Sequence, residues 1–139
     1  MHSSNKAQRS IFILDDSKDN LTLFAEILKR AGYQVRSASN PNQAYQELQT
    51  GDPPDILLVD CFMNLMTGEE FLIELRQLNP GLFEKTRVVG FSGADASSPL
   101  TEGIRRQAHS FIEKAMDMHQ LISMVDKEWQ KCPAALLKK

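Results

Sequence analysis

The sequence predicts an α/β fold in which five helices cover both faces of a doubly wound, five-stranded parallel sheet. Two observations support this prediction: short apolar runs recur along the chain, and the segments between them have the apolar period of helices. Runs that are apolar at every position are typical of parallel strands, because helices cover both faces of such a sheet. Repeated alternation of strand and helix favours right-handed crossovers and a doubly wound sheet.

The strands are predicted from the apolar runs. Four runs lack alternation and predict buried strands, and they cover residues 11–14, 56–59, 88–91 and 111–112. A fifth segment, residues 35–38, contains Arg36 and Ser37. Because charged and polar side chains are common on strands at the border of a sheet, we expect this segment to form an edge strand.

The helices are predicted from the spacing of apolar residues and from their capping residues. Gly32 is expected to end the first helix, because glycine readily adopts the conformation found after helix C-termini. The other four helices are predicted to start at polar capping residues, namely Asn40 before Pro41, Thr67 with Glu70, Ser98 before Pro99, and Asp117 with Gln120. Gly103 costs about 1 kcal/mol relative to alanine inside the fourth helix, so we expect that helix to be short or mobile.

Length and composition exclude several classes of protein. The 139 residues suggest one domain, predicted over residues 10–131, with residues 1–9 and 132–139 as tails. A net charge of −2 disfavours nucleic-acid binding by the chain itself, since such binding neutralises phosphates with basic side chains. No apolar stretch approaches the roughly 20 residues needed to cross a bilayer. Two cysteines, far apart in sequence, are typical of a reducing compartment, so we expect a cytoplasmic protein without membrane insertion.

Polar and charged residues follow four of the predicted strands. They are, in chain order, Asp15 and Asp16, Asp60, Ser92 and Lys114. Because ligands of open parallel sheets bind outside the carboxyl ends of the strands, we expect these side chains to meet at one edge. Each residue alone also has a structural interpretation, and either Asp16 or Ser17 could cap the first helix. Their combination favours a functional site.

The chemistry of such a cluster is that of phosphoryl transfer. Three crowded carboxylates repel one another and resist ionisation unless a cation is present. Mg²⁺ meets this need, because it prefers carboxylate oxygens together with water and phosphate oxygens. Asp60, central among the strands, can then attack a phosphoryl group as a carboxylate nucleophile, while Lys114 and the Ser92 hydroxyl stabilise the equatorial oxygens. The product would be an aspartyl phosphate.

The motifs that contain these residues together resemble the receiver domain of two-component response regulators. The matching segments are residues 13–17 (ILDDS), 60–68 (DCFMNLMTG), 91–94 (FSGA) and 111–114 (FIEK), and the likeness extends over residues 10–130. The resemblance implies a flavodoxin-like sheet with strand order 2-1-3-4-5. It also suggests a stand-alone, chemotaxis-type single-domain regulator.

The resemblance implies roles for the residues of the acidic cluster. Asp60 would accept a phosphoryl group from a histidine kinase or a histidine phosphotransfer protein. Asp15 and Asp16 would hold Mg²⁺ together with Asp60, and the backbone carbonyl of Phe62 would be a further metal ligand. Lys114 would stabilise the phosphoryl oxygens.

Two residues are implied to transmit the signal. Ser92 would move its hydroxyl to the phosphoryl group, and the rotamer of Phe111 would follow that move. The surface formed by the fourth helix, the fifth strand and the fifth helix would then contact a downstream protein.

Three positions depart from the family pattern. Asn64 stands where a proline is usual in the loop after Asp60, so we expect a less rigid loop. Ala115 stands where a proline usually follows Lys114. A cis peptide before a residue other than proline costs about 3–4 kcal/mol, so that bond is expected to be trans or strained. Phe62 puts a bulky apolar side chain beside the acceptor.

Two other functions are compatible with parts of this sequence. A phosphohydrolase with an aspartate nucleophile would resemble a pattern with a second carboxylate two residues after Asp60, where this chain has Phe62. A receiver-like binding module that is not phosphorylated would be expected to lack some of the site residues, yet all of them are present. We therefore expect no enzymatic turnover beyond phosphotransfer and self-dephosphorylation.

Several other reactive or polarisable side chains are expected to be structural. Cys61 is interpreted as a packed thiol, because no cationic neighbour in the sequence would lower its pKa. Met63 and Met66 are expected to fill gaps in the core. His109 and His119 lack partners at ligand spacing, so we expect no zinc site.

We predict that Phe62 restricts the access of water to phosphorylated Asp60 and so slows loss of the phosphoryl group. The Phe62→Asn variant should therefore lose phosphate faster than the unsubstituted chain. The decay of the phosphorylated protein after removal of the phosphodonor, followed by intact mass, measures this rate. An unchanged decay in the variant would contradict the prediction.

Overall fold

Five strands and the helices between them make up most of the chain, which the computed structural model describes at residues 6–93, 97–114 and 117–137. The strands are Ser10–Leu14 (β1), Gln34–Ala38 (β2), Ile56–Val59 (β3), Arg87–Ser92 (β4) and Ser110–Glu113 (β5). The helices are Lys18–Arg30 (α1), Pro41–Thr50 (α2), Gly68–Leu78 (α3), Leu82–Lys85 (α4), Pro99–Gln107 (α5), Met118–Gln130 (α6) and Pro133–Leu137 (α7). None of the described helices has the length and apolar character needed to span a membrane.

The sheet is parallel throughout, with the strand order β2-β1-β3-β4-β5. This order confirms the predicted fold class, and β2 lies at an edge as expected. The register pairs Leu14 of β1 with Val59 of β3. Asp15 and Asp60 are the residues that directly follow this pair. The register therefore brings these two acidic residues to the same edge of the sheet.

The core has one layer on each face of the sheet. Phe12 of β1 and Leu57 of β3 pack on one face in a cluster with residues of α2, α3 and α5. Ile13 and Leu58, the next residue of each strand, pack on the other face with residues of α1 and α6. Because successive side chains of a strand point to opposite faces, covering both faces requires apolar residues at every position. This explains the uninterrupted apolar runs.

The predicted helix caps are present. Ser17, not Asp16, caps α1, because its side chain accepts a hydrogen bond from the Asn20 N–H at 3.2 Å. The Asp16 carboxylate is therefore left for other contacts. Gly32 follows α1 with a φ of +110°, in the region that favours glycine. The remaining predicted caps also form, with Asn40 before α2, Thr67 and Glu70 at α3, Ser98 before α5, and Asp117 with Gln120 at α6.

Two short helices, α4 and α7, had no counterpart among the sequence predictions, which gave five helices. They have four and five residues, too few for an apolar period to be recognised. The predicted tail over residues 132–139 includes α7, and Cys132 is fully buried. At the other end of the chain, Arg9 is 5% exposed and its guanidinium lies 3.8 Å from the centre of the Trp129 ring. These contacts join segments far apart in sequence, so no local pattern reveals them.

A mostly buried ion pair connects α6 to strand β4 of the sheet. Glu128 of α6 is 4% exposed, and its Oε1 lies 3.0 Å from Nε of Arg87 on β4. Its Oε2 accepts a hydrogen bond from the Ser110 hydroxyl on β5 at 2.7 Å. Both carboxylate oxygens are paired, which offsets the cost of burying the charge.

We predict that Glu128→Ala lowers the free energy of unfolding by about 3 kcal/mol, because it leaves the Arg87 guanidinium without its carboxylate partner. Glu26→Ala is the matched control. Glu26 pairs with Arg30 at 3.0 Å on the exposed surface of α1, where such a pair contributes about 0.3–0.5 kcal/mol. Urea unfolding followed by circular dichroism measures both losses, and losses of equal size would contradict the prediction.

Candidate functional site

The acidic residues that follow β1 and β3 meet at one edge of the sheet, as predicted. One carboxylate oxygen from each of Asp15, Asp16 and Asp60 lies within 4.8 Å of the other two. Asp15 and Asp60 are buried, and Asp16 is half-buried. Ser92 ends β4, the strand that pairs with β3, and is also buried. The sheet register thus assembles the cluster that the sequence predicted.

Lys114 is the positively charged group of the site. Its ammonium forms an ion pair with Asp15 and lies 3.4 Å from an oxygen of Asp60. It also lies 5.5 Å from the centre of the Phe91 ring. The peptide bond between Lys114 and Ala115 lies outside the described residues. The side chain nevertheless reaches both acids from the end of β5.

Backbone N–H groups orient the two acids that follow β1. Asp15 Oδ1 accepts a hydrogen bond from the Ser17 N–H at 2.9 Å, and its other oxygen pairs with Lys114. Asp16 Oδ2 accepts a hydrogen bond from the Asn64 N–H at 2.9 Å. The two neighbouring carboxylates are therefore held by different parts of the fold, Asp15 by the start of α1 and Asp16 by the loop after β3.

The loop after β3 is tethered through a backbone group that proline lacks. The N–H that Asn64 donates to Asp16 would be absent if a proline stood at position 64. The Gly68 N–H also donates to the Cys61 carbonyl oxygen at 2.8 Å and closes the loop. Asn64, in the place of proline, therefore adds a hydrogen bond from this loop to Asp16. We had expected the same substitution to make the loop less rigid.

Burial has the largest effect on the acidity of Asp60. The residue is 7% exposed, and burial raises the pKa of its carboxyl group to about 6. The Lys114 ammonium lowers that pKa, whereas the Asp15 carboxylate raises it. The Phe62 N–H, 3.4 Å from Asp60 Oδ1, lowers it by hydrogen bonding to the charged form. The cluster has three carboxyl groups and one ammonium. Its negative charge therefore exceeds its positive charge when the acids are ionised, and a bound cation would balance the difference.

The donor set fits Mg²⁺. All three clustered groups are carboxylates, and hard oxygen ligands are those that Mg²⁺ prefers. Within the described ranges this is the one group of three His, Cys, Asp or Glu side chains with metal-binding proximity. The backbone of Phe62 lies beside the three carboxylates, because its N–H donates a hydrogen bond to Asp60. Its side chain is 60% exposed.

The side chains that were expected to be structural are buried, pack in the core or form hydrogen bonds within the protein. Cys61 is fully buried, and burial raises the pKa of its thiol. Met63 is 3% exposed within the core, and Met66 packs against the same cluster. The His109 ring accepts a hydrogen bond at Nδ1 from the Val88 N–H at 2.8 Å. These contacts agree with the packing roles predicted for Cys61 and the two methionines.

Phe111 lies on β5 against α5. It is half-buried and packs against a core cluster that includes Ile104 of α5. The guanidinium of Arg105, also on α5, lies 5.2 Å from the centre of its ring. The surroundings of Phe111 therefore depend on the position of α5.

Gly68 allows the start of α3 to pack closely against Asp60 and α5, a role that the sequence did not indicate. A Cβ atom at Gly68 would collide with the Asp60 carbonyl oxygen and lie 2.6 Å from Cδ1 of Ile104. At Gly103 a Cβ atom would meet only the end of the flexible Glu69 side chain, which can move away. The predicted fourth helix, α5, is indeed short, with nine residues. No local pattern distinguishes a glycine required by a neighbouring helix from one that only weakens its own.

We predict that Lys114→Met raises the pKa of the Asp60 carboxyl group above about 6 in metal-free protein. The substitution removes the ammonium that lowers this pKa and leaves the Asp15 carboxylate that raises it. A ¹³C NMR titration of the aspartate carboxyl carbons in the presence of a chelator measures the change. Lys18→Met, at the exposed start of α1, is the control, and an Asp60 pKa that stays constant or falls in Lys114→Met would contradict the prediction.

The sequence and the fold of this chain are similar to those of response regulators. The family model "Response regulator receiver domain" matches residues 11–126. The chemotaxis protein CheY of Thermotoga maritima is 25% identical over 123 residues, which cover 86% of this chain and 96% of that protein. The transcriptional regulator NtrC of Azospirillum brasilense is 22% identical over 118 residues, 85% of this chain but 24% of that longer protein. The structure of CheY4 from Vibrio cholerae shares the fold with a TM-score of 0.74 and 22% identity, covering 86% of this chain and 97% of that one. The chain belongs to the receiver domain family of two-component response regulators.

Proposed function

We propose that this chain is a phosphoacceptor switch in which Asp60 receives a phosphoryl group from a histidine kinase or a histidine phosphotransfer protein. Phosphorylation on an aspartate is typical of the family. The observation that carries the assignment to Asp60 is its position, buried at the end of β3 and flanked by the Lys114 ammonium and two further carboxylates.

The proposed reaction is a direct transfer to a carboxylate. An Asp60 oxygen forms a bond to phosphorus while the bond between phosphorus and the donor's imidazole nitrogen breaks, and that nitrogen keeps the electron pair. Lys114 lies 3.4 Å from Asp60 Oδ2, where its charge can stabilise the phosphoryl oxygens. Asp60 must be ionised to act as a nucleophile, and the Lys114 ammonium favours the ionised form.

We further propose that Mg²⁺ is held by Asp15, Asp16, Asp60 and the backbone carbonyl of Phe62. When bound, the ion supplies the positive charge that the cluster lacks and neutralises charge on the phosphoryl group. The proximity of the three carboxylates supports this ligand set. The hydrogen bond from the Phe62 N–H to Asp60 supports a contribution from the Phe62 backbone.

Ser92 and Phe111 are proposed to convert phosphorylation into a change of surface. They lie on neighbouring strands, since β4 pairs with β5 through Gly90 and Phe111. The Ser92 hydroxyl would bind the phosphoryl group, and Phe111 would change rotamer against α5. The surface of α5, β5 and α6 would then contact a downstream protein. A cytoplasmic location is part of the proposal, and the two free thiols, Cys61 and Cys132, suit a reducing compartment.

We predict that incubation with Mg²⁺ and acetyl phosphate adds one phosphoryl group to the chain, as read by intact mass. The adduct should be absent in Asp60→Asn and after removal of Mg²⁺ with a chelator, because both the acceptor oxygen and the cation are required. Asp52→Asn, at an exposed position outside the site, is the matched control and should be phosphorylated like the unsubstituted chain.

Two outcomes would overturn the proposed function. A chain that takes no phosphate would be a binding module that acts without phosphorylation. Repeated turnover of an added phosphate ester, lost in Asp60→Asn, would instead identify a phosphohydrolase.

A further inference from the structure

The loop after β3 reaches back to the segment after β1 through one backbone group. The N–H of Asn64 donates a hydrogen bond to Asp16 Oδ2 at 2.9 Å, across 48 positions of the sequence. We call this hydrogen bond the tether. It joins the two stretches of chain that carry the proposed Mg²⁺ ligands, because Asp16 follows β1, whereas Asp60 and Phe62 follow β3.

The two ends of this loop are held by contacts other than the tether. Phe62 forms an antiparallel bridge with Thr67, and Thr67 caps α3. The Gly68 N–H donates to the Cys61 carbonyl oxygen at 2.8 Å. Because these contacts do not involve Asp16, loss of the tether should free the Asp16 carboxylate and leave the loop folded.

Asp16 depends on the tether for its orientation. Its neighbour Asp15 accepts a hydrogen bond from the Ser17 N–H at Oδ1 and pairs with Lys114 through Oδ2. Ser17 is also the cap of α1, so Asp16 does not gain its orientation by capping that helix. In the part of the chain that the structure describes, the tether is the hydrogen bond that holds the Asp16 carboxylate. The donor binds Oδ2, and it therefore orients the group while leaving Oδ1 for a cation.

We propose that the Asn64 N–H is a positioning group that orients Asp16 and raises the affinity of the acidic cluster for Mg²⁺. This inference rests on the proposed Mg²⁺ ligand set. Carboxylates that bind a metal are themselves usually hydrogen-bonded, and removal of such an outer partner weakens metal binding. The Asn64 N–H acts through Asp16, because it reduces the orientational freedom that the carboxylate has to lose when the cation binds.

The residue at position 64 affects the site in two opposite ways. Proline, which is usual at this position in the family, would stiffen the loop but lacks the N–H of the tether. Restricting a loop with proline changes an equilibrium by roughly two- to five-fold. A hydrogen bond to a charged group changes it by roughly ten-fold or more. Loss of the tether should therefore outweigh the gain in rigidity, and Asn64→Pro should weaken Mg²⁺ binding by roughly three-fold or more.

The test compares three substitutions at position 64. Asn64→Pro removes the N–H, Asn64→Ala keeps it, and Asn64→Gly keeps it in a more flexible loop. Each chain is titrated with MgCl₂ at constant ionic strength and without a phosphodonor, and backbone amide shifts in ¹H–¹⁵N NMR spectra give the dissociation constant. The dissociation constant should be highest in Asn64→Pro, and that of Asn64→Ala should stay close to the value of the unsubstituted chain.

Rigidity of the loop would give the reverse order, with the tightest binding in Asn64→Pro and the weakest in Asn64→Gly. That order would overturn the inference, and so would unchanged affinity in Asn64→Pro or an equal loss of affinity in Asn64→Ala. Because proline is usual at this position in the family, we expect Asn64→Pro to fold, and thermal unfolding establishes whether each variant does.

Hydrogen exchange tests the tether without a change at position 64. Coupling between two events is reciprocal, so a tether that strengthens Mg²⁺ binding is itself strengthened by bound Mg²⁺. Exchange of the Asn64 amide in the unsubstituted chain should therefore slow by roughly three- to ten-fold when Mg²⁺ is added. In metal-free Asp16→Ala, which lacks the acceptor, this amide should exchange faster than in the unsubstituted chain. Asp52→Asn, at an exposed position, is the control and should leave the exchange unchanged.

The exchange measurement decides the question if Asn64→Pro does not fold. An Asn64 amide whose exchange responds neither to Mg²⁺ nor to Asp16→Ala would overturn the inference. Failure of the unsubstituted chain to bind Mg²⁺ would instead overturn the proposed ligand set on which the inference rests. A chain that takes no phosphate, but binds Mg²⁺ more weakly in Asn64→Pro, would overturn the proposed phosphoacceptor function and support the positioning role of Asn64.

Discussion

Repulsion among three carboxylates at one edge of the sheet is the constraint around which the site is organised. Asp15, Asp16 and Asp60 each bring an oxygen within 4.8 Å of the other two. Crowded acids of this kind resist ionisation unless positive charge or hydrogen-bond donors offset the repulsion. The fold supplies one ammonium, that of Lys114, together with several backbone N–H groups. The remaining negative charge is one that a divalent cation would balance.

The same edge of the sheet is joined to α5 by close packing. Glycine at position 68 lets the start of α3 approach the carbonyl of Asp60 and the Ile104 side chain of α5. Ile104 fills the space between α5 and the sheet, and the Phe111 ring packs in the same cluster. Tightly packed interiors transmit displacement, because they have little free volume to absorb it. Asp60, the start of α3 and α5 therefore belong to one closely packed region.

The strands and the longer helices could be predicted because each leaves a local pattern in the sequence. The apolar runs at β1 and β3 reflect burial on both faces, and the caps at Asn40 and Thr67 are local hydrogen bonds that residue type indicates. The short helices α4 and α7 leave no such pattern. The contact of Arg9 with Trp129 also could not be predicted, because it joins the two ends of the chain.

The sequence by itself determined which chemical groups stand at the ends of the strands, because strand ends and residue types are local properties of the chain. It thereby determined the family resemblance and the residues of the candidate site. Only the tertiary structure decided how these groups interact. The elevated pKa of Asp60 depends on burial, and the ion pairs of Lys114 depend on the distance from the end of β5 to the acidic residues. Such properties arise from distances between elements, which no local sequence pattern contains.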